Sequence, residues 1–191
     1  MNRIRRYNKV AIVLHWTIAV LLLANLGVGL WFTDMRASLL KDNLSVTHKS
    51  IGLTILMLSL LRLLWRLTHK APPRSPAPFD GLARAAHGLF YLLLILVPLA
   101  GWSVVSISPL NLPTRYLGFW TWPWIGVLHD LPLATRKAEI GNAVLVHNSL
   151  ALLTAVLVVL HVGAALWHRY VLKDGVLAEM APWTKTPQKQ R

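Results

Sequence analysis

The sequence predicts an all-α membrane protein, an antiparallel bundle of four transmembrane helices. Three observations favour this fold class. Hydrophobic residues make up 55% of the 191-residue chain, charged residues make up only 14%, and the charges cluster between long apolar runs. A soluble domain of this size would carry about 25% charged residues. We therefore expect one transmembrane domain over residues 1–191.

Four apolar runs are long enough to cross about 30 Å of hydrocarbon. They cover residues 10–32, 48–65, 86–107 and 143–167. The first run contains no formal charge and no small-residue cleavage site, so we expect it to remain as a helix rather than to be removed as a signal peptide. The second run ends with Arg62 and Arg66, whose long side chains can extend to one membrane interface.

The connections between these spans differ in length and composition. The Pro-rich string APPRSPAPFDG separates the second span from the third and predicts a short surface loop. Residues 108–142 form the longest connection, which contains Trp120, Trp122 and Trp124. Because tryptophan is enriched at membrane interfaces, we expect part of this connection to lie on the membrane.

The basic residues predict the orientation of the bundle. Thirteen Lys and Arg residues lie in the N-terminus, the second connection and the C-terminal tail: Arg3, Arg5, Arg6, Lys9, Arg66, Lys70, Arg74, Arg84, Arg169, Lys173, Lys185, Lys189 and Arg191. Five lie in the other two connections: Arg36, Lys41, Arg115, Arg136 and Lys137. The positive-inside rule therefore places both termini in the cytoplasm and the Trp-rich connection outside.

Composition also excludes several kinds of site and partner. The chain has no Cys, which excludes disulfides, iron–sulfur clusters and covalently attached c-type haem. Its net charge is +13, but the basic residues flank apolar spans and form no single stripe. We interpret them as topology signals and lipid anchors rather than as a nucleic-acid surface.

Four histidines lie in or at the ends of three spans, where ionisable side chains are rare and usually functional. With the predicted orientation, His15 and His161 lie toward the cytoplasm. His48 opens the second span at the outer side, and His147 lies at a similar outer depth in the fourth span.

His147 and His161 share one face of the fourth span. Their separation of 14 residues is close to four helical turns, so they differ by about 40° in azimuth and about 21 Å in height. Each can therefore meet a histidine of another helix at its own level. We expect His48 to pair with His147, and His15 with His161. Two axial imidazoles are typical of haem iron that transfers electrons, and Arg62, Arg66 and Lys49 are candidates to neutralise haem propionates.

Two alternatives for these histidines stay open. A single intramembrane histidine is often a hydrogen-bonded core residue with no ligand. A bare metal such as zinc usually adds carboxylate or thiolate ligands, and the four spans contain no Asp or Glu. The matched depths within each histidine pair and the shared face of His147 and His161 favour haem over a hydrogen-bonded core histidine and over a bare metal.

Two further histidines are candidate contacts at the cytoplasmic side. His87 begins the third span and is a candidate haem or quinone contact, although its position predicts a depth too shallow to replace His15 or His161. His168 follows the fourth span and, with Arg74, is a candidate quinone contact. The His87 side chain could instead be an interfacial group bonded to a loop. The sequence assigns no catalytic residue.

The chain resembles the bacterial cytochrome b561 family. The resemblance is carried by AIVLHW in the first span, THKSIGLTILMLSLLRLLWR in the second, LARAAHGLFYLLLILVPLAGW in the third and VLHVGAALWHRYVLKDG in the fourth. It implies two haems b whose four ligands map onto His15, His48, His147 and His161. It also implies a multi-pass protein of the bacterial inner membrane that exchanges electrons with quinone.

Some members of that family oxidise superoxide outside the membrane and reduce ubiquinone, so the resemblance implies an oxidoreductase of this kind as one reading. Superoxide is an anion that Arg115, Arg136 or Lys137 could attract. A second reading is a b-type subunit that relays electrons for a partner dehydrogenase or hydrogenase. A third is a non-redox transporter that uses the histidines as a relay.

Overall fold

Four long helices dominate the computed structural model, which describes residues 7–69, 80–181 and Trp183. They are α1 (Lys9–Thr33), α2 (Leu39–Thr68), α3 (Asp80–Ile107) and α5 (Leu133–Trp167). Each is long and apolar enough to cross a membrane. The predicted all-α bundle of four transmembrane helices is therefore confirmed.

The long helices extend beyond the apolar runs that predicted them. Helix α2 begins at Leu39 after Ser38, whose hydroxyl accepts a hydrogen bond from the Lys41 amide at 3.2 Å, so His48 does not open this helix as expected. Helix α3 includes Asp80 and Gly81, the last two residues of the Pro-rich string. Helix α5 begins at Leu133, ten residues before the predicted span at 143. Hydropathy marks only the part of a helix inside the hydrocarbon, so it does not detect the polar first turns of α2, α3 and α5.

A small hairpin and a short helix occupy the connection between α3 and α5. Strands β1 (Thr114–Tyr116) and β2 (Trp120–Trp122) pair antiparallel, and helix α4 covers Gly126–His129. The turn passes through Gly118 at φ 85°, a left-handed conformation that glycine adopts without a steric penalty. The hairpin therefore reverses the chain within three residues.

The hairpin lies against helix α2. The Ser50 hydroxyl accepts a hydrogen bond from the Leu117 amide at 2.9 Å, and the hydroxyls of Thr54 and Tyr116 are 3.1 Å apart. Because Ser50 follows His48 by two residues, the hairpin lies at the same end of the bundle as His48 and His147. We call this the outer end, after its predicted side of the membrane.

The three tryptophans expected at the interface differ in exposure. Trp120 is exposed, as a lipid-facing residue would be. Trp122 is half-buried and contacts the Trp102 ring, and Trp124 stacks on the His129 ring at 4.0 Å. Two of the three side chains therefore pack within the protein.

The apolar core joins three of the four long helices. Ile18 of α1, Ile55 of α2 and Leu94 of α3 form its centre. Helix α1 packs along α2, α2 also packs along α3, and α5 packs mainly along α3. Helix α5 reaches α1 and α2 through side chains that extend across the bundle. The histidine pairs are contacts of this kind.

Helix α5 is followed by a π-helical turn over His168–Leu172 and by the short helix α6 (Val176–Met180). The Trp16 indole donates a hydrogen bond to the Met180 carbonyl at 2.8 Å, and Ala178 is fully buried. Helix α6 thus lies against the first turns of α1, at the inner end of the bundle.

Candidate functional site

Two pairs of histidine rings face each other between helices. The ring centres of His15 on α1 and His161 on α5 are 6.3 Å apart, with an interplanar angle of 68°. Those of His48 on α2 and His147 on α5 are 6.2 Å apart, with an angle of 88°. All four side chains are half-buried. We call these the inner pair and the outer pair.

The spacing within each pair fits one metal centre between two imidazoles. A metal–imidazole bond is about 2 Å long and the ring centre lies roughly 1.1 Å beyond the nitrogen, so two axial rings have centres about 6.2 Å apart. The distances of 6.2 and 6.3 Å in the two pairs agree with this value.

The two pairs lie at different heights because both include a residue of α5. That helix is continuous from Leu133 to Trp167. The 14 residues from His147 to His161 therefore correspond to a rise of about 21 Å along one helix. A rise of this size is most of the thickness of a bilayer's hydrocarbon core.

The imidazoles of the outer pair bond to backbone carbonyls. His48 Nδ1 lies 3.2 Å from the Asn25 carbonyl oxygen, and His147 Nδ1 lies 3.1 Å from the Val97 carbonyl oxygen. A carbonyl can only accept, so each Nδ1 carries the proton. Each Nε2 then keeps its lone pair, which is the form of histidine that binds a metal through Nε2.

The surroundings of the inner pair are different. His161 also contacts His87 at 5.8 Å between ring centres and Phe90 at 5.2 Å. The sequence predicts His87 as a candidate haem or quinone contact that is too shallow to replace His15 or His161. Because α3 starts at Asp80, His87 lies two turns inside the helix and reaches the level of His161.

Arg62 contacts the other ring of the inner pair. Its guanidinium lies 2.8 Å from His15 Nδ1 and also over the Tyr91 ring. A guanidinium can only donate, so His15 Nδ1 accepts here and the ring proton lies on Nε2. Binding of a metal by His15 through Nε2 therefore requires Arg62 to release Nδ1.

His168 and Arg74 are the remaining candidate quinone contacts at the inner end. His168 lies in the π-helical turn, and its Nδ1 is 2.5 Å from Asp174 Oδ2. Asp174 lies just before Gly175, whose φ is 82°, at the start of α6. Arg74 lies outside the described residues.

The three cations expected to attract an anion at the outer end differ in position. Arg136 is buried, at 7% exposure, and donates to the Ser108 carbonyl and to Asn111 Oδ1 at 3.2 and 2.8 Å. It therefore fixes the connection that follows α3. Arg115 and Lys137 are exposed.

Residues 7–69, 80–181 and 183 contain no group of three or more His, Asp or Glu side chains placed to hold a metal ion. The histidines are arranged in pairs at two levels, with His87 as an additional neighbour of the inner pair.

Sequence reasoning missed three residues that shape these sites. A Cβ atom on Gly29 would lie 2.9 Å from His48 Cε1, and one on Gly101 would lie 3.0 Å from His147 Cε1. Each glycine lies within a predicted span, four residues after the carbonyl that its histidine contacts. Because that contact joins two helices, the sequence alone does not reveal it. Asp174 is the third such residue, and nothing in the string VLHVGAALWHRYVLKDG predicts its contact with His168.

The chain matches known proteins along nearly its whole length. A family model described as prokaryotic cytochrome b561 matches residues 6–183. Cytochrome b561 homolog 2 of Escherichia coli is 29% identical over 185 residues, which cover 94% of this chain and 93% of that protein. Cytochrome b562 of Cereibacter sphaeroides is 32% identical, covering 91% and 94%. A protein of Yersinia pestis named probable superoxide oxidase CybB is 27% identical, covering 93% and 97%.

Proposed function

This chain belongs to the prokaryotic cytochrome b561 family, and we propose that it transfers electrons from a small donor outside the bacterial inner membrane to quinone inside that membrane. The family consists of multi-pass membrane b-type cytochromes, and the four spanning helices agree with this location. In the proposal the protein holds two haems b, one at each histidine pair.

The observation that carries the proposal is the spacing of the two pairs. Ring centres 6.3 and 6.2 Å apart suit two axial imidazoles on one iron at each level. His15 and His161 would hold the inner haem, and His48 and His147 the outer haem. When bound, haem b supplies reversible one-electron transfer at an iron whose axial positions are both filled.

The residues of the inner end suit a quinone. His87 is exposed on the flank of the bundle beside His161, so a lipid-soluble molecule can approach it. The Asp174 carboxylate holds the Nδ1 proton of His168, which leaves Nε2 of His168 to exchange a proton with a quinone oxygen. We include Arg74 among the quinone contacts from the sequence alone.

The residues of the outer end suit a small anion. Arg115 and Lys137 are exposed at the end of the bundle that carries the hairpin, and positive charge raises the encounter rate of an anion. The relative named probable superoxide oxidase CybB supports superoxide as the donor. In that reaction two superoxide anions each lose one electron to become dioxygen, and one quinone gains two electrons and two protons to become quinol.

A coupled assay on the purified holoprotein tests this function. With superoxide supplied by a generating enzyme, we expect quinol to form at one molecule per two superoxide anions consumed. The matched control is His147→Ala, which removes an outer ligand. Wild-type protein that forms no more quinol than the haem-free protein would refute superoxide as donor. Quinol formation that requires a co-purifying dehydrogenase would instead support the relay-subunit reading.

A further inference from the structure

We propose that Gly29 and Gly101 are positioning residues that seat the two outer imidazoles on backbone carbonyls, and that this makes the outer pair the site of lower reduction potential. The proposal rests on the proposed function, since it assumes haem at both pairs. It adds to that function a direction of electron transfer, from the outer pair to the inner pair, because an electron is then more stable at the inner pair.

We call each place where a glycine leaves a backbone carbonyl open to an imidazole a seat. Helix α1 forms the first seat. His48 of α2 places Nδ1 3.2 Å from the Asn25 carbonyl oxygen. A Cβ atom on Gly29 would lie 2.9 Å from Cε1 and 3.2 Å from Nδ1 of the same ring. The ring therefore occupies the space that a side chain at position 29 would fill.

The second seat repeats this arrangement on helix α3. His147 of α5 places Nδ1 3.1 Å from the Val97 carbonyl oxygen, and a Cβ atom on Gly101 would lie 3.0 Å from Cε1 and 3.3 Å from Nδ1. In both seats the glycine follows the carbonyl residue by four positions. The two seats lie on different helices and receive the two members of one histidine pair.

Helix geometry explains this spacing of four. Side chains of an α-helix tilt toward its N-terminus, so the side chain at position i+4 covers the turn that contains carbonyl i. Glycine at i+4 leaves that carbonyl open to a ring from a neighbouring helix. The carbonyl oxygen has a second lone pair besides the one used within the helix, so it can accept from the imidazole as well.

The seats have an electronic consequence for the outer pair. Each carbonyl holds the ring proton on Nδ1 and raises the basicity of Nε2, the nitrogen left for a metal. A more basic axial ligand stabilises the oxidised, more positive state of the iron and lowers its reduction potential.

One ring of the inner pair faces a positively charged side chain instead of a backbone carbonyl. His15 Nδ1 faces the Arg62 guanidinium at 2.8 Å rather than a carbonyl. Arg62 gives up this hydrogen bond when His15 binds iron, but its side chain stays attached to α2 beside the inner pair. A positive charge close to a redox centre stabilises the reduced state and raises the potential. The two ends of the bundle therefore differ in the sense that favours electrons at the inner end.

A potentiometric titration of the holoprotein, followed through its visible spectrum, tests the proposal. We expect two one-electron steps in the wild type, with His147→Ala abolishing the step of lower potential. Gly29→Ala and Gly101→Ala should raise that lower potential or abolish its step with loss of one haem per chain, and leave the higher step unchanged. The matched controls are Gly27→Ala on α1 and Gly141→Ala on α5, where nothing lies within 4 Å of an added Cβ; both should keep both steps.

Several results would overturn the proposal. They are an unchanged lower step in Gly29→Ala and Gly101→Ala, a shift of the higher step instead, or loss of the higher step in His147→Ala. If a glycine variant loses both haems, ¹⁵N NMR of the wild-type reduced holoprotein decides. An Nδ1–H that is hydrogen-bonded at both His48 and His147 supports the seats, and an Nδ1–H without a hydrogen bond refutes them. A wild type that binds no haem would instead refute the proposed function.

Discussion

Replacing His15 by alanine should reduce the haem content from about two to about one per chain, whereas His87→Ala should retain both. His161 has both residues as neighbours, with ring centres at 6.3 Å for His15 and 5.8 Å for His87. Two axial imidazoles require about 6.2 Å, so His15 already has the required spacing and the ring centre of His87 is about 0.4 Å too close.

The positions of the ring protons, in contrast, favour His87 over His15 as the partner of His161. His87 Nδ1 bonds to the Ala83 carbonyl at 2.6 Å and leaves Nε2 for a metal, whereas His15 Nδ1 accepts from Arg62. The proton position of His15 depends on one hydrogen bond from Arg62, which is given up when Nε2 binds a metal, so the spacing decides in favour of His15.

Pyridine haemochrome analysis of each purified variant, with protein measured by amino-acid analysis, gives the haem content. His48→Ala is the matched control, because it should also retain about one haem per chain, at the inner pair. Retention of two haems in His15→Ala together with loss of one in His87→Ala would refute this assignment and make His87 the partner of His161.

Three further predictions concern the surroundings of the pairs. Asp174→Asn should lower kcat for quinone reduction by up to roughly 10²-fold, because the carboxylate no longer holds the His168 proton; unchanged kcat with intact haem content would contradict a role in proton transfer. Arg136→Met should lower the melting temperature in detergent, because two hydrogen bonds of a buried cation, each worth about 1.5–3 kcal/mol, are lost; an unchanged melting temperature would show that Arg136 does not fix the connection. The double variant Arg115→Gln with Lys137→Gln should lower the rate constant for superoxide about tenfold at low salt and flatten its salt dependence; equal rates at all salt concentrations would exclude these residues from attracting superoxide.

The sequence predicted the parts of the fold that repeat along the chain. The apolar runs identified four spanning helices, and the 14-residue separation of His147 and His161 predicted that each would meet a histidine of another helix. The structure brings His15 to His161 and His48 to His147, so helical phase was enough to predict these contacts. Their role as haem ligands stays a prediction.

Features that depend on packing between helices were not predictable. The depth of His87 depends on where α3 starts, and hydropathy does not locate that residue because Asp80 is charged. The opposite proton positions at His48 and His15 depend on which helix faces each ring. Such contacts between residues far apart in sequence leave no periodic signal in one chain.

The most direct test of two haems b held by two histidine pairs is the haem content of the wild-type protein, purified in detergent from cells supplied with haem. Its reduced-minus-oxidised spectrum should show the α band typical of haem b, and pyridine haemochrome analysis should give about two haems per chain. A spectrum with no Soret or α band, or a haem content of one per chain, would contradict the account.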